Sequence, residues 1–217
     1  MLSEDGSAVA LTAVEEKIGA RELRRRLWHV SPGLLPFLLW PIPHEDPVSP
    51  TLKYIILAIS LFVAGRIFLQ FQEVRRNQSE RRAGRILGYL LAVVGTLLLF
   101  PAHPELSFLV LATLAYGDGL ATLGGVVLGG PALPWNQNKT ISGTVAFALF
   151  GTLMGAVIYW GESNPAVPFS DALQIAVITA CLAALAESLP TRLDDNIRVG
   201  ATAAIVAPLA HAWIVGF

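Results

Sequence analysis

The stretch YGDGLATLGGVVLGGPALPWNQNKTISGT, residues 116–144, sets an acid, Asp118, among glycines inside an otherwise apolar segment. About two helical turns of small residues follow, then a Pro-Trp-Asn turn, a lone lysine (Lys139), and a second small cluster, Ser142-Gly143-Thr144. An ionised side chain at membrane depth costs ~2.5–3.5 kcal/mol on insertion scales, so it usually lines a cavity or a site. An acid holds a cation, a lysine neutralises phosphate, and glycines let backbone N–H groups approach an anion. The expectation is a magnesium-dependent, nucleotide-using site at a membrane surface. The competing reading is a polar kink packed between helices, because small residues are also how membrane helices meet.

The rest of the chain supplies the membrane. Hydrophobic residues make up 54% of it and charged residues 14%, with a mean hydropathy of +0.59. A soluble domain carries about 25% charged residues. These values predict an all-α, polytopic membrane helix bundle, and 217 residues suit one bundle rather than several domains. The single cysteine, Cys181, excludes an intrachain disulfide and a thiolate–zinc cluster. No nucleic-acid partner is expected.

Apolar runs predict seven transmembrane helices: about 28–40, 52–71, 86–100, 106–130, 145–160, 172–189 and 199–217. The first is short and holds Pro32 and Pro36. The fourth is expected to break near Gly117-Asp118-Gly119, as membrane helices do where freed backbone groups face a site. Residues 1–27 form a cytoplasmic N-terminal segment without the features of a signal peptide, within which 8–27 could lie on the membrane surface as an amphipathic helix. Residues 28–217 form the transmembrane catalytic domain.

Charge tests this topology. Seven spans place residues 21–26, the 72–85 loop, Lys139 and the 189–198 loop on one side. Of the 15 Lys and Arg, Lys53 is the one that clearly falls on the other. By the positive-inside rule the basic side is cytoplasmic, which puts the N-terminus inside, the C-terminus outside, and every candidate site segment on the cytoplasmic face.

Three further clusters share that face. Arg25-Arg26-Leu27-Trp28-His29 enters the first span, and anchoring is the ordinary reading of its arginines. His29 reads equally as a structural histidine or as part of a site. Glu187-Ser188-Leu189-Pro190 closes the sixth span and precedes Asp194-Asp195-Asn196. Two adjacent acids are commonly a turn or a helix cap. With Glu187 at the membrane end of an apolar run, three carboxylates plus Asn196 form an oxygen-ligand set suited to Mg²⁺. RRNQSERR (75–82) reads as a patch for anionic lipid. His44-Glu45-Asp46 lies on the outer side without a second ligand pair, and His211, alone in its span, reads as a packed core histidine.

Two familiar patterns fail on spacing. A Walker motif ending in Lys139-Thr140 needs glycine where Leu133 and Asn138 stand. The CDP-alcohol phosphotransferase pattern D-G-x-x-A-R needs Ala and Arg where Thr122 and Leu123 stand.

A third resemblance holds. G-D-G-L-A (117–121), G-G-x-x-x-G-G (124–130), L-P-W-N-x-x-K-T-x-x-G-T (133–144) and E-S-L-P-x-x-x-D-D-N (187–196) resemble the motifs of the phytol, farnesol and dolichol kinase group. Arg26, His29 and Gly33 are similar to its N-terminal R-x-x-H-x-x-x-G. The resemblance covers about residues 25–210. It implies a polytopic enzyme that uses CTP with a divalent metal, Mg²⁺, to phosphorylate a long-chain isoprenoid alcohol. The group is distantly similar to phosphatidate cytidylyltransferases, which make CDP-diacylglycerol from CTP, and that is the alternative enzymatic reading. A transporter or scaffold is the non-enzymatic one.

Carried over position by position, the resemblance implies Asp118, Lys139 and Asp195 as catalytic residues. It implies Asp118, Glu187, Asp194 and Asp195 as metal ligands. Gly117, Gly119, Gly124, Asn136, Lys139, Thr140, Gly143, Thr144, Arg26 and His29 are the implied nucleotide contacts. One departure is Arg198-Val199, where the group has something like Thr-Val-Pro.

Overall fold

The computed structural model describes residues 19–40, 47, 49–74 and 82–217. The chain is all-α apart from one small hairpin, as its composition predicts. The elements are α1 (Ala20–Val30), a 3₁₀ turn (Ser31–Leu34), α2 (Leu35–Leu39), α3 (Pro50–Val74), α4 (Arg82–Leu99) and α5 (Pro104–Leu128). Strands β1 (Ala132–Leu133) and β2 (Asn136–Thr140) follow, then α6 (Ile141–Glu162), α7 (Phe169–Ser188) and α8 (Asp195–Ile214). The surface helix expected from residue 8, the basic patch of 75–82 and His44-Glu45-Asp46 fall largely or wholly outside the described residues.

Helix α5 is the centre. Every residue from Pro104 to Asp118 is buried, as an all-round apolar helix must be, and α4, α6, α7 and α8 pack around it. The inner faces of α7 and α8 are rich in alanine: Ala172, Ala176, Ala180, Ala183 and Ala184 on one, Ala203, Ala207 and Ala210 on the other. Small side chains let helices approach closely where hydrocarbon provides no hydrophobic drive between them. Large apolar residues point outward instead, among them Val145, Leu149, Leu153, Leu185, Ile205 and Leu209. An apolar core inside an apolar exterior is the pattern of a bundle facing lipid.

Four helices, α5 to α8, are long and apolar enough to cross a membrane among the described residues, while Pro50–Phe62 and Gly88–Leu99 are shorter apolar stretches. The chain is read as a multi-pass membrane protein. The expected first span is composite: α1 passes through the 3₁₀ turn into α2. Pro32 and Pro36 each lack the N–H that a continuous helix needs.

The expected break in the fourth span is instead a widening. Residues Thr113–Asp118 form a π-turn and the helix runs on to Leu128 before ending at Gly129, which has φ +65°. Gly119 is needed there for contact rather than for a break. A Cβ at this position would come within 2.6 Å of Val30 Cγ2 and 3.2 Å of His29 Cδ2.

Candidate active site

The site forms where the chain passes from β2 into α6 and from α7 into α8. The two-residue turn Pro134-Trp135 closes the hairpin, with Leu133 paired to Asn136. The hairpin is tied to the end of α7 by two bonds: Trp135 Nε1 donates to Ser188 Oγ (3.2 Å) and Asn136 Nδ2 to Ser188 O (3.0 Å). Those bonds set β2 beside the residue preceding Ser188. The Lys139 ammonium accordingly forms an ion pair with Glu187 and a second with Asp195 Oδ2 at 2.9 Å.

Thr140 then caps α6, its Oγ1 accepting from Gly143 N at 3.1 Å, and Thr144 Oγ1 donates to Thr140 O at 3.2 Å. Asp194 caps α8, accepting from Asn196 N at 3.0 Å. A cap fixes the first turn of a helix, and this one holds Asp195 at the entrance of α8.

Arg198 is the residue whose part the motifs did not announce. One turn along α8, its Nη2 donates to Asp195 Oδ1 (2.5 Å) and to Glu187 O (3.2 Å). Its Nη1 donates to Leu189 O (2.7 Å) and Thr191 Oγ1 (2.5 Å). A guanidinium satisfying the last carbonyls of a helix is a known C-terminal device. Here it also joins α7, the connecting loop and α8. The available signal was the i,i+3 spacing from Asp195.

Deeper in the bundle, Asp118 lies at the end of the π-turn, 7% exposed. His29 Nε2 reaches Asp118 Oδ2 at 3.0 Å and Leu114 O, within the π-turn, at 3.1 Å. Tyr89 of α4 donates from its hydroxyl to His29 O (3.0 Å), and its ring stands edge-on to the imidazole. Arg26, also buried, interacts electrostatically with Asp118 and donates from Nε to Glu22 Oε1 at 3.1 Å. Burial opposes the charge on Lys139, but the carboxylates of Glu187, Asp195 and Asp118 outweigh it and raise the ammonium's pKa above 10.5. The lysine is therefore charged at any physiological pH.

Asp118, Lys139, Glu187, Asp195, His29 and Arg26 thus come together. Gly117, Gly119 and Gly124 are accounted for by packing. A Cβ on Gly117 would meet the Phe147 ring and one on Gly124 would strike the Ala146 side chain. Gly143, Thr140 and Thr144 build the start of α6, and Asn136 the tie to α7.

Between them, Glu187, Asp195 and Asp118 offer the hard oxygen donors that suit Mg²⁺, which takes one or two carboxylates and completes its shell with water and phosphate oxygens. Lys139, ion-paired with Glu187 and Asp195 and within electrostatic reach of Asp118, sets a compact positive charge beside them.

The chain is similar to plant proteins over most of its length. It is 28% identical to probable phytol kinase 2, chloroplastic, of Oryza sativa subsp. japonica, over 94% of this chain and 73% of that protein. It is 28% identical to phytol kinase 1, chloroplastic, of Arabidopsis thaliana, over 96% of this chain and 74% of the relative. Identity to farnesol kinase, chloroplastic, of Arabidopsis thaliana is 26%, over 85% and 64%. No family model and no solved structure matches the chain. These relatives bear out the resemblance read from the motifs: the chain is a relative of the phytol and farnesol kinases.

Proposed function

We propose that this protein phosphorylates a long-chain isoprenoid alcohol at the cytoplasmic face of a membrane, with CTP as donor. The observation that carries the reading is Lys139 held between Glu187 and Asp195, with Asp118 across from them, in a relative of phytol and farnesol kinases. The cluster combines hard oxygen donors with a lysine that stays charged, the combination phosphoryl transfer requires.

Glu187 and Asp195 would hold Mg²⁺, with Asp118 near, and the ion would neutralise charge on the transferring phosphoryl oxygens. The residues do the rest. Lys139 binds the phosphate whose negative charge replaces the carboxylates as its partner, and Arg198 keeps Asp195 oriented throughout.

The alcohol arrives from the bilayer, so its hydroxyl meets the acid that lies deepest. Asp118 sits ten residues before the cytoplasmic end of α5, about 15 Å along the axis. Glu187 and Asp195 stand at helix ends. As the alcohol oxygen bonds to the γ-phosphorus, its proton passes to Asp118, steadied by His29. The bond to the β-phosphate oxygen breaks, and CDP leaves with the electron pair.

The test uses purified protein, Mg²⁺, an isoprenoid alcohol and CTP labelled at one phosphorus or the other. Label from the γ-position is expected in an isoprenyl phosphate, and none from the α-position in lipid. Cytidine label in a CDP-lipid would make the protein a cytidylyltransferase instead.

A further inference from the structure

The far end of the bundle holds a second polar cluster. His103 precedes α5, Glu105 lies in the first turn of α5, His211 in the last turn of α8, and Tyr159 near the end of α6. His103 Nδ1 is 3.0 Å from Glu105 Oε1, and His211 Nδ1 is 3.9 Å from the same oxygen. The two imidazoles stand edge to face with centroids 4.6 Å apart. Phe217 lies over both, 5.1 Å from His103 and 5.0 Å from His211. His211 and Glu105 are buried, whereas the His103 side chain is 24% exposed.

One nitrogen in this cluster lacks an explanation. Tyr159 Oη meets His211 Nδ1 at 2.5 Å, but His211 Nε2 is buried and has no hydrogen-bond partner among the described residues. Buried polar atoms are nearly always paired, so an orphan calls for a partner such as a water or an ion. If Nδ1–H donates to Tyr159 Oη, Nε2 carries the lone pair. That is the arrangement of metal-ligating histidines, whose other ring nitrogen donates to an outer oxygen that fixes the tautomer.

We propose that His103, Glu105 and His211 form a binding site for a divalent transition-metal ion of the zinc class, with Tyr159 as its outer partner. Each residue offers one ligand atom, and the three atoms lie within 4.8 Å of one another. Ligands at about 2.0–2.1 Å from a tetrahedral ion stand about 3.3 Å apart, so the three side chains draw together to close the set. Two imidazoles and one carboxylate are a borderline donor set that favours zinc, whereas the all-oxygen set around Lys139 suits Mg²⁺. Three protein ligands leave a fourth position for water, reached past the partly exposed His103. The site joins the start of α5 to the end of α8, with Tyr159 of α6 behind it, and so acts as a staple at the face opposite the phosphoryl-transfer site. It depends on none of the residues assigned to that reaction.

The experiment uses the full chain without a histidine tag, purified in detergent and stripped with a chelator. It is titrated with Zn²⁺ in the presence of millimolar Mg²⁺, desalted and assayed for metal. One equivalent of zinc is expected to be retained. His103→Gln and Glu105→Gln should each weaken binding at least ~10-fold, and Tyr159→Phe about tenfold, the usual effect of removing an outer partner. Cobalt substitution should give a visible d–d spectrum that His103→Gln abolishes.

His211→Ala opens the core and could unfold the protein, so the partly exposed His103 carries the test. Asp195→Asn should bind zinc as tightly as the parent chain. The proposal is overturned if the folded parent chain retains no stoichiometric zinc. It is equally overturned if His103→Gln binds as tightly as the parent, or if Asp195→Asn rather than His103→Gln removes the ion.

Discussion

The bundle carries polar clusters at both ends, and they differ in kind. The one around Lys139 joins three carboxylates to Lys139, Arg198, Arg26 and His29, and part of it is open: the side chain of Asp195 is 44% exposed. The one around His211 contains no lysine or arginine among its named members and is closed over by Phe217. Between them lies a layer of fully buried apolar side chains, including Leu109, Phe147, Leu114 and Ile175. A transporter would need polar groups linking the two faces, and this layer separates them. The two ends differ in the ligands they would suit: strong opposite charges match the phosphates of the proposed reaction, while imidazoles with a single carboxylate match the softer ion proposed above.

The sharpest way to break the comparison is to ask whether the two ends lie on opposite sides of a membrane. In a Cys181→Ser background, a cysteine at Ser163 should react fully with a membrane-impermeant thiol reagent added outside. One at Asn138 should not react. Equal labelling of both would place the two clusters on one side and remove the cytoplasmic assignment.

Next in size come the charged residues themselves. Asp118→Asn, Lys139→Met and Asp195→Asn should each lower turnover by at least ~100-fold, or ~2.7 kcal/mol in barrier, in protein that remains folded by circular dichroism. Tyr159→Phe, at the other end, should change turnover per folded molecule by less than about threefold. A near-normal Asp118→Asn would make the central acid structural.

Arg198 sharpens the comparison within the first cluster, because it touches protein atoms throughout. Arg198→Gln should lower turnover about tenfold and raise the Mg²⁺ concentration needed for half-maximal rate, since Asp195 loses its orienting partner. It should also lower the melting temperature, as Leu189 O and Glu187 O lose a charged donor, at ~1–3 kcal/mol for such losses. A change in stability with no change in Mg²⁺ dependence would reduce Arg198 to a strut.

What the sequence made legible follows from cost. Asp118 and Glu187 stand out because charges in apolar runs are expensive, and Lys139 as a lone cation in the loop between two such runs. Arg198 was visible as a departure from a pattern, but the four bonds that explain it depend on where α7 ends, which no local signal states. His211 looked solitary because its partners, His103 and Glu105, lie more than a hundred positions earlier in the chain. The glycines have a second use: Gly117, Gly119 and Gly124, expected at a nucleotide, each also face a side chain that any Cβ would strike. Glycine permits approach, and sequence does not tell whether a phosphate or a helix is approaching. Pro32 and Pro36 did announce an irregular first span, whereas the widened turn at Thr113–Asp118 has no proline to mark it.

The smallest expected effect tests where the first cluster stops. Glu22 of α1 accepts from Arg25 Nε (2.8 Å) and Nη2 (2.5 Å) and from Arg26 Nε (3.1 Å). Arg26 in turn faces Asp118, so Glu22 is one step removed from the site. Burial works to raise the Glu22 pKa, but the two guanidinium groups prevail and lower it from 4.5 to about 2. A carboxyl with a depressed folded-state pKa contributes stability that is present above the unfolded value and lost as pH falls through the folded one. The contribution should therefore be complete at pH 7, begin to fade below about 4.5 and vanish near 2. Helical i,i+3 and i,i+4 pairs are worth ~0.3–0.5 kcal/mol each after screening, so Glu22→Gln should lower the melting temperature by about 1–3 °C at pH 7. The difference from the parent chain should disappear by pH 2–3. Turnover should fall less than about fivefold, because Arg26 keeps its other neighbour. A loss as large as that of Asp118→Asn would mean that α1 belongs to the site itself, and the boundary between reacting and supporting charge would move from Arg26 out to Glu22.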